Sequence, residues 1–409
     1  MSTIDVHAGT TPWTLGAAPA DYVLGHVQAV LPGSVIEDAR IVVRSGRIEA
    51  VEPHPAGSAA DVDGAGLMCL PGLIDTHSDA LERERAPRPS AYLPWDFALL
   101  SLEGKMRAAG ITTVFHGAGF HETTSGLYKR SAEAAVELCE VVQARSAAGA
   151  PVDHRVLYRL DARSAKGAQA LAEQLAVADG VPLVSHEDHT PGQGQYADRG
   201  HMERYLASAD NLTPEQARLK VDQMIEDRER YLPVLERNLA WLGEVARAGK
   251  IRLVGHDPDS PEAIGALRDR GGSVAEFPTT VEAARTARQL GFPVVMGAPN
   301  VLRGLSHSGN VSARELVQLG LVTSLASDYL PSGLLGAAFM IAKAGLLPLP
   351  AAVGLVTSGS AEVAGLSDRG RLAPGLRADL VLLDAAGNWP VTWACVRAAE
   401  EMRAGGTQS

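Results

Sequence analysis

Short β-type runs open the pattern. Apolar residues alternate through Tyr22–Val30, Ala39–Val43 and Ile48–Val51, and turn signals at Pro32-Gly33 and Ser45-Gly46 separate the runs. A similar texture returns after Arg371, where Leu372-Ala373-Pro374-Gly375 leads through Arg377-Ala378-Asp379 to a strand at Leu380–Leu383. Two β pieces therefore bracket the middle of the chain. Between them short apolar strands alternate with helical stretches, which calls for a parallel sheet with crossover helices. The strands are read at Met68–Ile74, Thr112–Phe115, Arg155–Leu160, Pro182–Ser185, Ile251–Val254, Ser273–Phe277, Pro293–Met296 and Ser324–Ala326. Eight such strands predict an α/β fold, a TIM-type (β/α)8 barrel, with a smaller β domain built from both chain ends. The expected division is 1–62 for an N-terminal extension and first β piece, 63–365 for the barrel, and 366–409 for the second β piece and tail. Residues 1 to about 20 lack periodicity and are read as an extension or an added edge strand. A long helical insertion at Leu212–Lys250, opened by Thr213-Pro214-Glu215, separates the fourth barrel strand from the fifth and suits a lid or a dimer surface.

Composition narrows the class. With 409 residues, 46% hydrophobic and 21% charged, the chain has ample material for a large globular core. A net charge of -11 argues against nucleic acid or an anionic membrane as partner, and a polyanionic ligand would need locally placed cations. Cys69, Cys139 and Cys395 are too few and too scattered for a disulfide framework or a CxxC metal site, so a reducing, cytoplasmic setting is expected. No leader-like start or apolar run long enough for a membrane span is read in the sequence. A homo-oligomer is left open.

In a barrel of this kind the C-terminal strand ends share one face, so polar residues there are candidates for chemistry whatever their sequence separation. The first strand ends in Asp75-Thr76-His77-Ser78-Asp79, the second in His116, the third in Asp161. The fourth runs into His186-Glu187-Asp188-His189, the fifth into His256-Asp257, the sixth into Glu276 and the eighth into Asp328. Imidazoles and carboxylates are ligands that Zn²⁺, Mn²⁺ or Fe²⁺ accept, so one or two divalent ions are expected. His77 and Asp79, two apart in extended chain, project to one side. Asp328 suits both metal binding and general base work, or else caps the helix expected near Pro331. Asp161 is read as a carboxylate between two metals or as a salt-bridge partner of Arg159 or Arg163. His256 reads as a ligand or a loop histidine. His186 and His189 are not ranked by spacing, and His116 and Glu276 are equally open to a structural role. Arg83-Glu84-Arg85-Ala86-Pro87-Arg88-Pro89 and the segment Asn300 to Asn310 place arginines in loops that could converge on an anion, or form solvated clusters.

Five segments go further than fold class. Pro71-Gly72-Leu73-Ile74-Asp75-Thr76-His77-Ser78-Asp79, Asp188-His189-Thr190-Pro191-Gly192-Gln193, Ala275-Glu276-Phe277-Pro278-Thr279-Thr280, Gly297-Ala298-Pro299-Asn300 and Ser306-His307-Ser308-Gly309-Asn310 resemble one family. It is the alpha-D-ribose 1-methylphosphonate 5-triphosphate diphosphatases of phosphonate catabolism, a branch of the amidohydrolases, and the similarity spans roughly residues 22 to 385. The resemblance implies metal-dependent hydrolysis of a ribose 5-triphosphate to the 5-phosphate and diphosphate. It implies metal-site roles for His77, Asp79, His189, His256 and Asp328, and polyphosphate contacts for Arg88, Arg303 and His307. The first strand carries His-x-Asp where amidohydrolases generally carry His-x-His, and no lysine stands at a strand end to be carboxylated. Asp161 is the expected substitute, and without it the site would hold one tightly bound metal. The tail after Asp384 is read as lacking a final strand pair. Two rival readings remain, an amidohydrolase acting on a cyclic amide, N-acyl or deaminase-type substrate, and a barrel kept as a non-enzymatic module.

Overall fold

The computed structural model describes residues 18–398 except 89, 123–129, 197, 210 and 307–308. Five strands come first: β1 (Tyr22–Val30), β2 (Val35–Arg44), β3 (Arg47–Pro53), β4 (Val62–Asp63) and β5 (Met68–Pro71). Eight more follow as β6 (Leu73–Ser78), β7 (Ile111–Phe120), β8 (Asp153–Asp161), β9 (Leu183–Glu187), β10 (Arg252–His256), β11 (Val274–Glu276), β12 (Val294–Gly297) and β13 (Ser324–Ala326). The chain ends with β14 (Leu380–Asp384) and β15 (Val391–Val396).

The first five strands and the last two form one sheet in the order β15-β14-β5-β1-β2-β3, with β4 also against β1. The stitch between chain ends is the antiparallel pair β14 and β5, where Val381 faces Leu70. Alternating burial along β1, with Tyr22, Leu24 and Val27 inward, gives this sheet its own core with Ala39, Ile41, Ile48 and Leu380. A final pair does exist here. β15 runs antiparallel to β14, although alternation in Val391–Val396 is too half-buried to stand out in sequence.

The segment expected as one barrel strand, Met68–Ile74, is divided. Met68–Pro71 belongs to the small sheet and the first barrel strand starts at Leu73. Gly72 makes the crossing possible, because a Cβ there would lie 2.1 Å from Thr112 Oγ1. Its N–H meanwhile donates to the Asp379 carbonyl at 2.7 Å.

β6 to β13 are parallel neighbours in sequence order, with helices packed outside. Phe115, Leu157, Leu183, Val254, Val274, Val295 and Ala326, one from each of β7 to β13, fill the interior together with Val363. The seam between β13 and β6 closes by two sets of backbone bonds. Low in the wall, Leu325 N–H donates to Leu355 O at 2.7 Å and Ile74 N–H to Val356 O at 3.0 Å. At the mouth, Asp328 N–H donates to His77 O at 2.9 Å and Asp79 N–H to Asp328 O at 2.6 Å.

The helical insertion resolves into Arg199–Ala209, Pro214–Glu229 and Leu232–Arg247. Thr213 caps the second by a capping box with Gln216, which the Thr213-Pro214 signal anticipates. Met202, Leu206, Ala217 and Val221 give the first two helices a small core of their own. Among the described residues no helix is long and apolar enough to cross a membrane.

Candidate active site at the barrel mouth

A strand alternates its side chains between two faces, so the interior apolar residues predict which polar residues project into the mouth two positions later. Leu157 is followed by Arg159 and Asp161, Leu183 by Ser185 and Glu187, Val254 by His256, Val274 by Glu276 and Ala326 by Asp328. Of these, Arg159, His256 and Asp328, with His77 of β6 and Asp79 just past it, line a cavity of about 240 Å³ whose walls also carry His189, Arg130, Arg303 and Tyr196.

The opposite parity explains which histidines stay out. His116 follows inward Phe115 by one residue and is fully buried in the barrel wall, its Nε2 2.9 Å from Nδ1 of His154. His186 lies between inward Ser185 and Glu187. Burial, then Arg270, lowers its imidazole to about 4. His189 therefore supplies the fourth strand's imidazole to the cavity.

Three overlapping groups of donor atoms lie within 4.8 Å of one another: His77, His256 and Glu276; Glu187, His189 and His256; His77, Asp79 and Asp328. Glu276 stands between two imidazoles, 2.9 Å from His77 Nδ1 and 2.8 Å from His256 Nδ1. Burial works against a charged His77, but the Glu276 carboxylate overrides it and pushes the imidazole up to about 10. Glu276 is correspondingly held below the usual carboxylate range, burial opposing and His77 prevailing. Asp79 is also low, because Arg159 and Arg130 outweigh its burial. Asp328 moves the other way, raised by burial and by nearby Asp79.

The residues fit a divalent ion. Nitrogen and oxygen donors of this kind suit Zn²⁺, Mn²⁺ and Fe²⁺ alike. Several buried atoms at the mouth meet one another only as loose ion-pair contacts, His121 Nε2 with Glu187 Oε1 at 3.4 Å and His189 Nε2 with Asp257 Oδ2 at 3.6 Å. Buried polar atoms are nearly always well satisfied, so donors and acceptors held this loosely leave lone pairs that a cation could take up.

The backbone is strained around this ring. Asp257, Phe277 and Asp328, each just past a barrel strand, have φ of 52°, 54° and 56°. For phenylalanine that is a costly conformation. It sets the Phe277 ring against both imidazoles, with centroids 5.0 Å from His77 and 5.5 Å from His256.

Two expected contributors are placed elsewhere. Asp161 belongs to none of the donor groups. Arg228 of the insertion grips it from above, with Nη1 to Oδ2 at 2.7 Å and Nη2 to Oδ1 at 2.9 Å, so a third arginine takes the ion-pair role expected of Arg159 or Arg163. Arg88 is exposed and does not line the cavity. His307 lies outside the described residues. Glu187 stands in the sequence only as one of four polar residues after the fourth strand, without a role, and neither Arg130 nor the inward aim of Arg159 is foreseen there. The two-residue spacing from Leu183 and Leu157 would have found the strand residues, whereas Arg130 carries no such signal.

A family model described as the amidohydrolase family matches residues 104–391. The chain belongs to the amidohydrolase family. It is 37% identical over 363 residues to the alpha-D-ribose 1-methylphosphonate 5-triphosphate diphosphatase of Escherichia coli strain K12, covering 88% of this chain and 94% of that one. It is also 26% identical over 374 residues to the imidazolonepropionase of Deinococcus radiodurans, covering 86% of each chain. Among solved structures, N-acetyl-D-glucosamine-6-phosphate deacetylase from Mycobacterium smegmatis has the same fold, with a TM-score of 0.58 at 16% identity over 92% of this chain and 98% of that one. This amidohydrolase thus has the ordinary family architecture, with the site at the expected end of the barrel.

Proposed function

We propose that this amidohydrolase cleaves alpha-D-ribose 1-methylphosphonate 5-triphosphate to the 5-phosphate and diphosphate, as a step in phosphonate catabolism. The observation that carries the reading is the 37% identity to a diphosphatase of that name over nearly the full length of both chains. The chemistry of the mouth agrees, since carboxylate and imidazole donors face guanidinium groups across one cavity.

A divalent ion held by donors drawn from His77, Asp79, His189, His256, Asp328, Glu187 and Glu276 would supply Lewis acidity toward water and phosphoryl oxygen. Asp328 accepts the proton of the attacking water. Burial and Asp79 raise its carboxyl above the ordinary range, which brings its basicity closer to neutral pH. The bond broken joins the α-phosphorus to the bridging oxygen, so the diphosphate leaves with extra negative charge. Arg303 in the cavity wall is placed to stabilise that charge. His307 joins it on the strength of the Ser306-His307-Ser308-Gly309-Asn310 resemblance alone.

Diphosphate release from a ribose 5-triphosphate tests the reading, measured on purified protein before and after chelation and with Mn²⁺ or Zn²⁺ restored. Metal-dependent release is the expected result. Failure of a metal-loaded preparation would favour a cyclic-amide substrate, a second reading motivated by relatives named imidazolonepropionase at 26% and 29% identity.

A further inference from the structure

We propose that the buried guanidinium of Arg159 stands in the place of a second cation, so that the barrel mouth holds a single divalent ion. The inference rests on the metal-dependent reading above. Two of the donor groups share no residue, His77/Asp79/Asp328 and Glu187/His189/His256, and a pair of ions would use one each. Arg159 takes a carboxylate from both. Its Nη1 lies 2.6 Å from each oxygen of Asp79, while Nη2 and Nε lie 2.6 Å and 3.1 Å from Oε2 of Glu187.

A ligand that bridges two metal ions must offer lone pairs, and a guanidinium offers none. An arginine keeps its proton in proteins, so it cannot yield the position by titration as a lysine or histidine would. Nor can it easily swing away, because Arg159 is 3% exposed and leaves the inward face of β8 between β7 and β9. The neighbouring strand is cut to fit it. A Cβ on Gly117 would stand 2.5 Å from Asp79 Oδ1 and 3.1 Å from Arg159 Cδ, so glycine on β7 leaves room for the pair.

Asp79 is further committed to Arg130, whose Nη2 donates to Oδ2 at 2.7 Å. The group whose carboxylate is free of arginine is His77, His256 and Glu276, where Glu276 accepts from Ser185 Oγ and from His256. The single ion belongs there. Arg159 then supplies fixed positive charge to the cavity, which it also lines, without the exchange that a second ion would undergo.

The test counts metal. Full-length protein is loaded with excess Mn²⁺, freed of unbound ion, and measured by elemental analysis, with electron paramagnetic resonance to detect coupling between paired ions. The expected result is one uncoupled ion per chain in the wild type and two in Arg159→Met, where Asp79 and Glu187 are released as ligands. Arg159→Gln replaces that variant if it does not fold. Two ions in the wild type, or still one in a folded Arg159 variant, would overturn the inference while leaving metal dependence intact. No ion in folded wild-type protein would instead remove the metal-dependent reading itself.

Discussion

The backbone N–H of Asp328 donates to the carbonyl of His77 at 2.9 Å, and this bond helps join the last barrel strand to the first at the level of the chemistry. Residue 328 is held beside His77 by main chain, whatever side chain it carries. Asp328→Asn should therefore fold normally, and asparagine tolerates the positive φ of 56° at that position. Turnover should fall on the order of 10²- to 10⁴-fold, the span of a lost general base. Steady-state kinetics beside a thermal melt checks this. Unchanged kcat would remove Asp328 from the proton-accepting role.

Removing the metal should cost stability as well as activity. Donors such as His77, His189 and His256 are gathered only in the folded chain, so an ion binding there favours the folded state. At a free ion concentration 100 times the dissociation constant the gain is about 2.7 kcal/mol. Chelated protein should melt lower, and Mn²⁺ or Zn²⁺ should restore the melting point. Identical melts with and without chelator would mean that no ion binds tightly.

Arg303 and Arg88 were equivalent as loop arginines in the sequence and are not equivalent in the fold. Arg303 lines the cavity, whereas Arg88 is exposed away from it. Arg303→Ala should raise KM for the triphosphate roughly 10- to 100-fold, the worth of a charge-assisted hydrogen bond, and Arg88→Ala should leave it nearly unchanged. A larger effect at Arg88 would mean that its loop folds over the substrate when bound.

The strand order, the two-ended β domain and the ring of polar strand ends were legible because the barrel strands are short apolar runs, buried on both faces, that end abruptly in polar residues. His77, Asp79, His189, His256 and Asp328 all lie at or just past such ends and line the mouth. What escaped depends on partners distant in sequence. Asp161 is tied up by Arg228, 67 residues away in an inserted helix. Arg159 looked like a partner for adjacent Asp161, yet reaches Asp79, 80 residues earlier. The break of Met68–Ile74 at Gly72 was hidden because both halves are apolar, one serving each sheet.

The buried histidine that stayed out of the mouth makes a prediction of its own. His116 meets His154, and His154 Nε2 lies 2.9 Å from Glu103 Oε2, which also accepts from Arg145 Nε at 2.9 Å. Burial pushes the Glu103 carboxyl up, but His154 and Arg145 outweigh it and hold it at about 2. A carboxyl depressed on folding stabilises above its unfolded value of about 4.3, and that contribution fades as pH drops toward the folded value. Glu103→Gln should thus cost roughly 1–3 kcal/mol at neutral pH, the penalty for breaking a buried polar network. The gap between variant and wild type in urea unfolding should hold down to about pH 5 and narrow between about pH 4 and 2. A gap that keeps its size through that interval would show that Glu103 contributes by shape and not by charge.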